Sequence, residues 1–294
     1  MTSAYETIVS RRSTRHTIRG IDYHVSEWGE SGAPLLVLLH GWGDTGSAFQ
    51  FVVDALRRDW FVVAPDWRGF GETRCRASSY WFPDYLADLD SLLDIYSKDE
   101  PARLLGHSMG ANVAGLYAGV LPERVAALIN VEGFGLKESD PANAPANYRR
   151  WLEKMKAGQA YRDYEGFEEL AARIQKRSPR MDEERALYVA RLWASQTDGR
   201  SVELRADPAH RLPNAVQYRR AEAEACWERI RAATLVVTGR ESEFFSAASG
   251  WSGAVELVPL ARAETVEIPD AGHMIHFEQP AALAAAVENF LGGQ

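Results

Sequence analysis

Cysteine is nearly absent from this chain. Two thiols, Cys75 and Cys226, in 294 residues exclude a disulfide framework of any size. Isolated thiols of this kind read as reduced, in a cytoplasmic protein. Long hydrophobic runs are missing too. No stretch approaches the roughly 20 apolar residues that a membrane-spanning helix needs, and the polar, basic residues 1–19 lack the apolar core of a signal peptide. Positive charge is not in excess. A formal net charge of −8 argues against the basic face that nucleic acid or an anionic membrane would require, and Arg173, Lys176 and Arg177 read as a solvated helix face. There is no internal repeat and no low-complexity tract. The seven histidines show no metal-ligand spacing, so neither metal nor cofactor is expected. With 46% hydrophobic and 25% charged residues, what remains is an ordinary globular composition with material for a large core.

Short apolar runs alternate with helical patterns, which predicts an α/β fold with a mainly parallel sheet. Residues 16–18 and 21–28, joined by Arg19-Gly20, read as an edge hairpin. Segments 35–39, 61–64, 103–105, 127–131, 235–238 and 264–268 read as strands. They are rich in Val, Leu and Ile without alternation, as strands covered on both faces should be. Helices are predicted over 47–57, 83–96, 109–120 and 280–291. The alternation breaks after Phe134, where roughly 75 residues separate two core strands, too many for a simple crossover. Residues 148–156, 167–177 and 182–195 carry apolar residues at helical spacing, and Ser178–Asp182 reads as a break and cap between two of these helices. We therefore expect a core of residues 1–134 and 213–294, with a helical cap of residues 135–212 inserted after the sixth strand.

The strongest chemical signal is Gly106-His107-Ser108-Met109-Gly110, set between an apolar strand end and a small-residue helix former. A sharp strand–turn–helix there strains the serine backbone and lifts its hydroxyl clear of the sheet. The following helix points free N–H groups at the space where negative charge would develop. Three further signatures stand in order: His40-Gly41-Trp42-Gly43, Asp66-Trp67-Arg68-Gly69-Phe70-Gly71 and Ala271-Gly272-His273. On these four motifs the chain resembles a capped α/β-hydrolase, an esterase-like serine hydrolase, over essentially its whole length. The resemblance implies a mostly parallel eight-stranded sheet flanked by helices. It implies Ser108 as nucleophile and His273 as base, with His276 the competing histidine. The backbone N–H groups of Trp42 and Met109 would form the oxyanion hole. His40, His107, Asp66 and Arg68 read as structural, shaping the turns around the site.

The acid is where the chain departs from that pattern. Members carry it after the seventh or the sixth core strand. After the seventh stands Gly239-Arg240-Glu241-Ser242-Glu243, with serine where the family has aspartate. After the sixth stands Asn130-Val131-Glu132-Gly133, which puts a carboxylate at the end of an apolar strand, where it needs a partner. Glu132 is the favoured acid, with Glu241 and Glu243 as alternatives. Trp42, Phe134, Trp151, Trp193 and Phe244 are candidate pocket residues, because aromatics crowd the motif loops and the cap. They predict a small-to-medium apolar ester, thioester or related acyl substrate, handled by a monomer or homodimer. A serine nucleophile excludes dehalogenase and epoxide-hydrolase chemistry, which needs aspartate there. Carbon–carbon bond hydrolysis, a lyase or cofactor-free oxygenase reaction, or a low-turnover ligand sensor are the alternatives the same fold allows.

Overall fold

The structure is a computed structural model that describes residues 5–197, 199–243 and 263–293. Its sheet begins with β1 (Arg12–Ile18) and β2 (Ile21–Trp28), the expected antiparallel hairpin. β3 (Leu35–Leu39), β4 (Phe61–Pro65), β5 (Ala102–His107) and β6 (Val125–Val131) follow in sequence. With the later strands Ala233–Gly239 and Glu264–Ile268, they form one eight-stranded sheet in which all pairings beyond β2 and β4 are parallel. Alternate residues of β3 explain why its sequence does not alternate. Leu36 and Leu38 join a core with α1 (Gln50–Ala55) and the C-terminal helix Pro280–Gly292. Val37 and Leu39 join the core on the other face, under α2 (Phe82–Tyr96) and α3 (Met109–Val120). Each such leucine, fully covered, contributes about 1.5–3 kcal/mol.

Local sequence sets the helix ends. Pro83 and Asp84 sit in the first turn of α2, where a missing N–H costs nothing and negative charge suits the helix dipole. Its Tyr85, Leu89, Leu92 and Leu93 form the buried stripe. The predicted helix over 47–57 divides into a 3-10 turn, Gly46–Phe49, followed by α1.

Between β6 and the strand Ala233–Gly239 the chain leaves the sheet. It forms α4 (Ala144–Ala157), α5 (Phe167–Arg177) and α6 (Glu183–Trp193), close to the three predicted helices. Asp182 caps α6 by accepting the Arg185 N–H at 2.8 Å, as its place after the Ser-Pro break predicts. The third helix ends earlier than its pattern suggests. Ala194–Gln196 (β7) instead pairs with Val202–Leu204 (β8) in a two-stranded sheet, an arrangement set by tertiary pairing that helical periodicity cannot register. A further helix, α7 (Arg220–Trp227), returns the chain to the core. It packs on α3 so closely that a Cβ on Gly119 would sit 1.8 Å from the Cys226 carbonyl oxygen. α5 and α6 bury Leu170, Ile174, Leu187 and Val189 against Ala48, Phe51 and Phe277 of the main body. No helix among the described residues is long and apolar enough to cross a membrane.

Candidate active site

Ser108 stands between the end of β5 and the start of α3 at φ 52°, ψ −114°. A non-glycine residue there stores on the order of 1–3 kcal/mol of strain. Neighbouring backbone holds it: Ser108 N–H donates to the Val131 carbonyl at 2.8 Å, and Asn112 N–H to the Ser108 carbonyl at 3.1 Å. Gly110 is required by close approach, since a Cβ there would lie 2.1 Å from the Leu39 carbonyl oxygen.

His273 lies on the loop after the last strand, with its Nε2 3.1 Å from Ser108 Oγ and its Nδ1 3.0 Å from Glu132 Oε2. The Glu132 side chain is fully buried, and its oxygens are well supplied with donors. Oε1 accepts Gly239 N–H at 2.8 Å, and Oε2 accepts the Ser242 hydroxyl at 2.5 Å as well as His273. A carboxylate that accepts the Nδ1 proton leaves Nε2 as the acceptor for the Ser108 hydroxyl. Glu132 has φ 58°. Its turn is pinned by Asn130, whose side chain accepts Gly133 N–H at 2.8 Å and donates to the Gly133 carbonyl at 2.9 Å. Ser242, at the position where an aspartate was expected, thus serves as a donor to Glu132. Glu241 instead lies exposed and pairs with Arg180, and Glu243 is exposed.

The competing histidine turns away. His276 is buried, with its Nε2 3.0 Å from Asp44 Oδ2 and its ring 4.3 Å from that of His107. His107 places Nε2 2.9 Å from the His273 carbonyl and so braces the loop that carries His273. Burial, with His276 and His273 nearby, holds its pKa well below the ordinary histidine value, so it is neutral and donates through Nε2. His40 is also depressed by burial. Its Nδ1 lies 2.7 Å from the Gly41 carbonyl, and its Nε2 accepts Trp67 N–H at 2.8 Å. This fixes the loop that carries Trp42. That loop passes beside the serine: a Cβ on Gly41 would stand 3.2 Å from Ser108 Cβ. Met109 opens α3 on the other side. Asp66 accepts Gly46 N–H at 2.7 Å, and Arg68 pairs with buried Asp88, so both are structural here.

The expected aromatic lining divides. Phe134 is buried just beyond Glu132, Trp151 is half-buried on α4, and the Trp42 indole is exposed, edge-on to Phe70 at 6.3 Å. The Trp193 indole N–H donates to Asp44 Oδ1 at 2.8 Å, so this side chain ties α6 to the Trp42 loop. Phe244 lies outside the described residues. Asp44, His107 and His276 bring potential metal-ligand atoms within 4.8 Å of one another. Their convergence from three separated segments is invisible to spacing within the sequence. Asp44 is already an acceptor for Thr45 N–H, Trp193 and His276, so the cluster is described by its hydrogen bonds as a brace behind His273.

A mostly parallel sheet with a strained serine at a strand–helix elbow, faced by histidine and a strand-end carboxylate, defines an α/β-hydrolase arrangement. The chain belongs to the alpha/beta hydrolase fold family, which matches residues 34–280. It is 24% identical over 278 residues to a serine hydrolase-like protein of Danio rerio, covering 91% of this chain and 84% of the relative. It is 29% identical over 285 residues to a 3-hydroxybutyrate-oligomer hydrolase of Cupriavidus necator, covering 92% of each. The thioesterase domain from the curacin biosynthetic pathway shares the fold at a TM-score of 0.84, with 24% identity over 95% of this chain and 99% of that one.

Proposed function

We propose that this protein is a serine hydrolase acting on small-to-medium apolar esters or thioesters through Ser108, His273 and Glu132. The observation that carries the reading is the continuous hydrogen-bond chain from Ser108 Oγ through His273 to Glu132. Ser108 Oγ attacks the acyl carbon while its proton passes to His273 Nε2. The tetrahedral oxyanion is met by the backbone N–H groups of Met109 and Trp42, each such donor contributing on the order of 3 kcal/mol to the transition state. Collapse expels the alcohol or thiol, which takes the proton from His273. Water, giving its proton to the same nitrogen, then releases the acid and restores Ser108. Glu132 holds the ring orientation and balances the imidazolium. Residues 135–212 form the cap over this edge, and Phe134 and Trp151 give the pocket its apolar character. A relative named as a 3-hydroxybutyrate-oligomer hydrolase and a fold neighbour named as a thioesterase domain accord with acyl transfer.

The test is intact-mass analysis after exposure to a fluorophosphonate. One adduct is expected on the parent protein and none on Ser108→Ala. A folded parent that takes no adduct refutes an activated Ser108. For the substrate class, equal turnover of charged and apolar esters of the same size would remove the apolar preference.

A further inference from the structure

A polar cavity of about 200 Å³ lies behind the loop that carries Trp42. Its walls come from three parts of the chain: Arg11 and Arg15 at β1, Thr45 and Ser47 after the Trp42 loop, and Arg205 of the excursion. Two polar atoms of these walls are buried without any partner, the Thr45 hydroxyl and the Arg205 Nε–H. Thr45 itself is only 4% exposed. Arg11 donates through Nη1 to Ser26 and Ser47 hydroxyls at 3.1 and 2.9 Å. Among the described residues no carboxylate lies within ion-pair distance of it, so the Nε and Nη2 fork is available.

The two carboxylates in the wall are already engaged. Asp66 accepts Gly46 N–H, Glu72 N–H and His24 Nδ1. Glu72 pairs with Arg205 and, at 3.7 Å, with Arg15, which also pairs with Asp22 at 2.8 Å. What the cavity leaves unmatched is therefore a set of donors: a guanidinium fork, a second guanidinium N–H and a hydroxyl. The Thr45 hydroxyl can also accept, but the free guanidinium N–H groups only donate, and their positive charge repels a cation. A ligand that only accepts, with several oxygens and negative charge, matches all of them.

We propose that this cavity is a binding site for a small oxyanion of the phosphate class. Bound there, the anion joins Arg205 of the excursion to Arg11 and Thr45 of the main body and clamps the back of the Trp42 loop. The site is separate from the Ser108 chemistry and does not depend on it.

Inorganic phosphate is the probe. The full chain is titrated calorimetrically with sodium phosphate, against sodium chloride of matched ionic strength. One-site binding is expected for the parent, weakened about tenfold or more in Arg11→Gln and in Thr45→Val. Ser108→Ala should bind phosphate as the parent does. Arg11 is an exposed residue, so Arg11→Gln keeps the test decisive if Thr45→Val fails to fold. Phenyl phosphate binding as tightly as phosphate would mark the natural ligand as a larger phosphomonoester, whereas a marked preference for phosphate would mark a free anion. Heats no larger than those of chloride would overturn the proposal and leave a water-filled cavity. So would unchanged binding in Arg11→Gln, or binding lost in Ser108→Ala, which would place the anion beside the serine.

Discussion

Glu132→Gln separates the role of the carboxylate from its shape. Glutamine fills the same volume, but one oxygen becomes an NH2 group. If that group takes the Oε1 place, it faces the Gly239 N–H, which now donates to Glu132 at 2.8 Å. Two donors then oppose each other in a fully buried position, at a stability cost of about 1–3 kcal/mol. If instead it takes the Oε2 place, it faces both the Ser242 hydroxyl and His273 Nδ1. The serine hydroxyl can rotate, but the imidazole must present a lone pair at Nδ1 and carry its proton on Nε2. That nitrogen can then no longer accept from Ser108, 3.1 Å away. The expected loss in kcat/KM is on the order of 10³- to 10⁴-fold, or about 4–5.5 kcal/mol of transition-state stabilisation. It is read on a p-nitrophenyl ester, with Tm and circular dichroism confirming the fold. Glu241→Gln and Glu243→Gln should stay within about twofold, because surface changes away from the reacting groups rarely matter more. A Glu132→Gln protein within tenfold of the parent, with Glu241→Gln or Glu243→Gln strongly impaired, would refute the assignment of the acid.

Two further outcomes follow from the same geometry. His210 is stacked between Phe70 at 3.8 Å and Tyr80 at 3.5 Å, and burial lowers its pKa to about 4. The unfolded chain, with histidine near 6.5, therefore binds the extra proton first, and stability falls as pH drops from about 6.5 through 4, by on the order of 3 kcal/mol. Urea midpoints across that window should fall less steeply in His210→Gln, and an equal slope would reject the argument. Trp193→Phe removes the donor to Asp44 while keeping the ring packed near Phe277 at 6.1 Å. A hydrogen bond to a charged group is worth about 1.5–3 kcal/mol, so Tm should fall by several degrees and proteolysis within residues 135–212 should quicken; neither change would be seen if Trp193 merely lined the pocket.

Most of the fold was legible because its signals are local. β3 shows as an unalternating apolar run because Leu36 and Leu38 face one core while Val37 and Leu39 face the other. The elbow shows because a serine at φ 52° with glycines two residues either side serves few purposes other than exposing its hydroxyl. The short pair β7 and β8 was missed because three-residue strands carry no period of their own, and the helical spacing of α6 ran on into the first two residues of β7. The acid lay between these extremes. Each of Glu132, Glu241 and Glu243 stands after a core strand and before His273, so chain order treats them alike. What distinguishes Glu132 is its surroundings: Asn130 pinning the turn, Gly239 and Ser242 donating to its oxygens, and His273 arriving from 141 residues away. Ser242 adds a physical argument for the proposed acid. A buried hydroxyl aimed at the strand-end glutamate supplies a donor where an aspartate would have brought a second negative charge to the same imidazole. The glutamate after one strand and the hydroxyl after the next therefore form one hydrogen-bonded unit, intelligible only once the strands lie side by side.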